Sequence, residues 1–252
     1  QPKEAETVAA KVVSSNETFA PAAMTARTVS ELPGLTAAIP PPPSHQTGSR
    51  RPPRGRVQSL SGDQVDVLES AFTLLGLPPD CPVTVNGRHF KLDCIGTVSA
   101  IFYNLGIDIT KDFNRYTGNG VGRLFKSLKD KGALHMDRFP HPGDIVFWNN
   151  TWDANGDGSW KNDPTTHAGV VLQVEDDGTI HYIHEHVRKG VIVERMNLYR
   201  PEIYRTDFGK ILNNAMALGS YYGNPNNPEH WLSGDLWYQF GGMLTVKDQY
   251  KI

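Results

Sequence analysis

Between residues 144 and 196 four β-prone runs follow one another: DIVFWN (144–149), HAGVVLQVE (167–175), TIHYIHEHV (179–187) and VIVERM (191–196). DDG (176–178) stands as the turn between the second and third. Runs rich in β-branched and aromatic residues, broken by turn chemistry, read as the strands of an antiparallel meander. What precedes them repeats at a helical period. SGDQVDVLESAFTLLG (61–76) puts Val65, Leu68, Ala71, Phe72 and Leu75 on one face, with Ser61 as cap and Gly76 as stop. CPVTVNGRHFKL (81–92) alternates around Asn86-Gly87 and predicts a hairpin. Asp93 is placed to cap a second helix through about Leu105, with Ile95, Val98, Ile101, Phe102 and Leu105 inward and Gly106 closing it. A third helix is predicted over about Val121–Lys131. Helices first and a meander after them predict an α+β fold, in which a helix packs on one face of a curved sheet. There is no internal repeat.

The ends of the chain read differently. Residues 1–57 are rich in Ala, Pro, Ser and Thr, include PPPP (40–43) and end in RRPPRGR (50–56). With no sustained period and many prolines, they predict a disordered tether. The basic run is either a contact for an anionic polymer or a solvated linker end. Residues 58–198 form the predicted folded domain, and 199–252 a C-terminal extension packed on it. In that extension RTDFGKILNNAMAL (205–218) reads as a helix, and Trp231, Trp237, Tyr238 and Phe240 as a lid over a cleft or as core. The formal net charge of -2 gives no electrostatic case for nucleic acid or an anionic membrane surface. No run of about 18 apolar residues exists, so no transmembrane segment is expected. A chain that starts at Gln1 reads as a processed form in which a signal peptide would not be visible.

Two cysteines are too few for a disulfide framework. Cys81 and Cys94 are read as free thiols, Cys81 structural. Cys94 begins the second helix, where unpaired N–H groups and the positive end of the helix dipole favour a thiolate. Such a nucleophile needs an imidazole to take its proton, and the imidazole needs a partner on its other nitrogen. His167 opens one strand, and His181, His184 and His186 lie on the next. A two-residue loop at Asp176–Asp177 or Asp177–Gly178 makes paired positions sum to an odd number. His184 and His186 then share the face of His167, and His181 points away.

These residues resemble the NlpC-type cell-wall peptidases, with the neighbouring CHAP amidases, in the papain-like cysteine peptidase clan. The resemblance spans about residues 85–198. LDCIG (92–96) is similar to the family's DCSG box, HPGDIVFW (141–148) to its PGDLVFF strand, and THAGVVLQVEDDGTIHYIHEH (166–186) to its HVGIY…IHA hairpin. It implies a papain-like fold with Cys94 as nucleophile, His167 as base and His184 as the orienting residue. The chain differs in having Ile95 where the family has Ser, and VTVNGRHF where the family carries Tyr-x-Trp-Gly-Gly. The implied activity is hydrolysis of amide bonds in peptidoglycan peptides, outside the cytoplasm and with no catalytic cofactor. The alternatives are a non-catalytic wall-binding or scaffold module on the same fold, and an antibacterial amidase toxin. TWDANGDGSWKND (151–163) adds one more expectation. Asp153, Asn155, Asp157 and Asp163 match part of an EF-hand-like loop and would hold a structural calcium ion, or else form a polar turn that bonds its own backbone.

Overall fold

A computed structural model of the chain describes residues 59–216 and 231–252. The expectations for residues 1–57 lie outside the described residues. Helix α1 (Gly62–Leu74) starts where predicted: Ser61 Oγ accepts from Gln64 N–H at 3.3 Å while the Gln64 side chain accepts from Ser61 N–H at 2.9 Å. This reciprocal capping box satisfies two of the orphan donors of the first turn. The buried face is turned from the predicted one. Leu68 and Ala71 are buried, but Val67 and Leu74 join them, whereas Val65 and Leu75 are more than a third exposed. The packing of α1 on its neighbour selects that stripe, and helical spacing alone allows either.

Strands β1 (Pro82–Val85) and β2 (Arg88–Lys91) form the predicted hairpin. Asn86 (φ 47°) and Gly87 (φ 78°) both occupy the left-handed region that a tight two-residue turn demands. Helix α2 (Cys94–Tyr103) follows two residues later and stops short of Leu105, with Gly106 at φ 74° beyond it. Helix α3 (Gly120–Asp130) is capped by Asn119, whose side chain accepts from Gly122 N–H at 2.7 Å.

The remaining strands are β3 (Leu134–His135), β4 (Ile145–Trp148), β5 (His167–Val174), β6 (Thr179–His186), β7 (Gly190–Asn197) and β8 (Trp237–Gly241). They make one antiparallel sheet in the order β3-β8-β4-β5-β6-β7. The described chain is therefore α+β. On one face Phe125 of α3 meets Phe147 edge-on at 5.3 Å, and α2 packs on β5 and β6. On the other face Val146, Trp148, Val171 and Tyr182 bury against Trp231, Leu236 and Phe240.

The C-terminal segment differs from its sequence reading in two respects. β8 is a strand inserted between β3 and β4, so Trp237 and Phe240 pack into the core while Tyr238, more than a third exposed, stacks on Phe125. The predicted helix over 205–218 does not form in its described part, residues 205–216. Instead Gly209 (φ 84°) turns the chain, and Thr206 N–H donates to Lys210 O at 2.9 Å. The side chains of Asn213 and Asn214 then accept from the backbone N–H groups of Asn197 and Arg195, at 2.7 and 2.8 Å. β7 is the last strand of the sheet, and its open edge needs partners; covering it outweighs local helix propensity.

Candidate active site

Asp93 caps α2 as expected, its Oδ1 accepting from Gly96 N–H at 2.7 Å. Gly96 has a steric role as well. A Cβ there would land on the carbonyl oxygen of Lys91, so the helix can start this close to the end of β2 only with glycine. Those two residues place Cys94 against the β5–β6 hairpin.

The hairpin brings His167 and His184 together, Nε2 of the first 2.8 Å from Nδ1 of the second. Their shared face was expected from a two-residue loop, and the actual route differs. Glu175 and Thr179 close a three-residue loop through Asp176, Asp177 and Gly178 (φ 81°), so Val174 pairs Ile180 with an even sum. An irregularity between Val171 and Gln173 restores the odd sum, and Val170 pairs Ile183. Two opposite departures cancel before the histidines are reached. Gly169 keeps the pair close, since a Cβ there would sit 2.7 Å from Ile183 O and 3.2 Å from His184 Cβ. His181 points away, as expected, and bonds Glu175 at 2.5 Å. His186 Nδ1 is taken by the N–H of Arg188 at 3.1 Å, which ties it to the β6–β7 turn. Trp148, fully buried, lies beside both site histidines with its ring tilted to theirs, centroids 5.6 and 6.5 Å away.

Glu194 was not singled out in the sequence. It lies on β7, is 5% exposed, and its Oε2 stands 3.2 Å from His184 Nε2; Lys189 Nζ is 3.3 Å from its other oxygen. Burial works against its ionisation, yet the His184 hydrogen bond and the Lys189 ammonium hold the carboxyl below its ordinary range. The signal for it was a single acid within an apolar strand run, VIVERM.

Both cysteines are free thiols. The thiol of Cys94 has the backbone N–H groups of Ile95 and Ala168 beside it, which puts it one peptide from His167. Ala168 and Glu185 fall on the α2 side of the hairpin and His167 and His184 on the other, and among the described residues no hydrogen bond joins the thiol to His167. Here the helix-dipole expectation fails. Burial first, and then the carboxylate charges of Asp93 and Glu185, push the Cys94 thiol up to about 12. A helix end contributes at most about 2 kcal/mol to an anion, and here it is outweighed. Burial, followed by the neighbouring His184 and His186, holds His167 well below the usual imidazole range. Burial and the carboxylates of Asp80 and Asp93 push Glu185 up to about 7. Thiol and imidazole are therefore both neutral at pH 7. The rate of Cys94 alkylation by iodoacetamide is expected to keep climbing with pH through about pH 10, since only the thiolate reacts. Mass spectrometry of the labelled peptide measures it, and a plateau near neutrality would show a preformed thiolate.

In the 153–163 loop the polar side chains serve the loop itself. Asp153 accepts from Gly156 and Gly158 N–H at 2.7 and 2.9 Å, and Asp157 accepts from Ser159 N–H at 2.7 Å and from the Asn162 side chain at 2.8 Å. Asn155 Oδ1 accepts from Asp157 N–H at 2.9 Å, and Asp163 Oδ1 from Asn155 N–H at 3.1 Å. Among the described residues no group of three or more His, Cys, Asp or Glu is placed to hold a metal ion. Asp144 of the PGD box also lies apart from the site: it accepts from His141 N–H at 2.7 Å and contacts His135 Nε2 at 3.1 Å, anchoring the start of β4. Among the described residues no helix is long and apolar enough to cross a membrane. Compared with known protein families, with curated proteins and with solved structures, the chain matches none.

Proposed function

We propose that the protein is a papain-like cysteine hydrolase that cuts amide bonds in peptidoglycan peptides outside the cytoplasm, with Cys94 as nucleophile, His167 as base and His184 as orienting residue. One observation carries this reading: the His167–His184 pair heads the strand whose next N–H touches the Cys94 thiol. The substrate class comes from the resemblance of the LDCIG, HPGDIVFW and THAGVV boxes to the cell-wall peptidases. Because thiol and imidazole are both neutral, proton transfer accompanies attack. Sγ bonds to the scissile carbonyl carbon as its proton passes to His167, through the nitrogen that His184 leaves free. Thiol and imidazole stand on opposite faces of the hairpin, so this transfer requires the head of β5 to turn His167 toward α2 in the substrate complex. The N–H of Cys94, at the open helix end, helps hold the oxyanion. His167 then protonates the leaving amine, and water releases the thioester as a carboxylic acid.

The test is digestion of purified muropeptides by the full chain, followed by mass spectrometry with acid quenching. One new amine and one new carboxyl terminus are expected, together with a thioester adduct on Cys94 at early times. Intact muropeptides and no adduct would overturn the reading. The high proton affinity of the thiol favours a second reading, a non-catalytic wall-binding module on the same fold. That module would retain intact peptidoglycan in a pull-down while forming no adduct.

A further inference from the structure

His184 uses both ring nitrogens, Nδ1 toward His167 Nε2 at 2.8 Å and Nε2 toward Glu194 Oε2 at 3.2 Å. Each contact holds one proton, and the chemistry of the outermost group decides where both protons lie. An ionised carboxylate can only accept, so the Glu194 contact requires the proton on His184 Nε2. A neutral imidazole carries one N–H, so His184 Nδ1 is then a bare acceptor. The inner contact is satisfied only if His167 donates from Nε2, which leaves a lone pair on His167 Nδ1. We infer that Glu194 is a positioning residue that sets the tautomers of both histidines and so makes Nδ1 of His167 the nitrogen able to accept a proton.

Without that acid the pair has a second, equally hydrogen-bonded state. In it His184 Nδ1–H donates to His167 Nε2, and His167 carries its own proton on Nδ1, where it cannot accept from a thiol. Lys189 Nζ, 3.3 Å from Glu194 Oε1, bears on this choice. In Glu194→Gln the amide oxygen is drawn to Lys189, so the amide NH₂ faces His184 Nε2 and favours the reversed state. The substitution keeps size and shape while reversing the proton order. Glu194 touches neither Cys94 nor, in the proposed reaction, the substrate. Its catalytic consequence rests on the hydrolase reading; the tautomer assignment does not.

The experiment is long-range ¹H–¹⁵N correlation of the histidine rings in the full chain, at about pH 8, above the ordinary imidazole range. In the wild type both His167 and His184 are expected as Nε2–H tautomers. In Glu194→Gln both are expected as Nδ1–H, and adding Lys189→Met lets the amide turn and returns signal to the Nε2–H forms. If the hydrolase reading holds, acylation of Cys94 falls by about 10⁴-fold in Glu194→Gln, the scale of a wrong tautomer in a catalytic triad. A wild-type His167 protonated on Nδ1, or tautomers unchanged by Glu194→Gln in a folded protein, would overturn the inference. Reversed tautomers in a protein whose wild type cleaves no muropeptide would uphold it and sink the hydrolase reading instead.

Discussion

Replacing Cys94 by alanine is expected to abolish muropeptide cleavage while leaving the thermal midpoint within a few degrees of wild type. The two halves of this result have separate causes. In the proposed reaction activity goes because the thioester forms on the Cys94 sulfur. When one member of a catalytic unit is removed, what persists comes only from binding and oxyanion contacts, so a loss of at least about 10³-fold is expected. Stability stays because the helix start does not depend on the sulfur. Asp93 still caps Gly96 N–H, and alanine has the highest helix propensity of any residue. Removing the thiol also removes a half-buried group crowded by the carboxyls of Asp93 and Glu185. Calorimetry and mass spectrometry on one preparation check both halves. Turnover that survives in Cys94→Ala would remove the nucleophile from the proposal, and a collapse of the fold would make Cys94 a packing residue.

The second large effect is on stability and needs no substrate. Gly96→Ala is expected to destabilise the protein by about 3 kcal/mol or more, the upper end of overpacking penalties. In most helices this change is favourable by up to about 1 kcal/mol. Here the new Cβ meets backbone, the carbonyl of Lys91, and not a side chain that could swing aside. Either the first turn of α2 or the end of β2 must move. A shift of the midpoint by roughly 10 °C is expected for a domain of this size, together with lower activity, because the same movement displaces Cys94 from Ala168. Urea unfolding of both proteins measures it. Equal stability within about 0.5 kcal/mol would show that the two segments have slack between them.

Glycine at residue 96 shows how the chain divides between local and non-local causes. Its place in LDCIG resembled a family box, yet its physical reason lies in a contact with Lys91 that spacing alone does not express. The face of α1 behaved similarly. Helical periodicity identified the helix, and tertiary contact chose Val67 and Leu74 over Val65 and Leu75 for burial. The β5–β6 register offers a sharper case. His184 was placed beside His167 from a two-residue loop, and the chain reaches the same pairing through a longer loop and a compensating irregularity. The side-chain alternation of a strand records only parity, so two single-residue departures are invisible in it.

What the sequence determined by itself is whatever depends on atoms within about four residues: the Ser61 capping box, the Asp93 cap, the Asn86-Gly87 turn and the strand runs from 144 to 196. Those interactions close within one turn of chain, so residue types at short spacing suffice to write them. Tertiary structure alone decided the rest. β8 enters the sheet between β3 and β4 from the far end of the chain because both strands needed a partner and the core needed Trp237 and Phe240. Glu194 became the anchor of the histidine pair only when the β6–β7 pairing set Tyr182 opposite it and His184 beside it. The proton on Cys94 was settled by burial first, then by the charge of its neighbour Asp93 and by that of Glu185, a residue 91 positions further along the sequence. Desolvation and Coulomb forces act through space, and no spacing along a chain encodes them until the fold has brought the groups together.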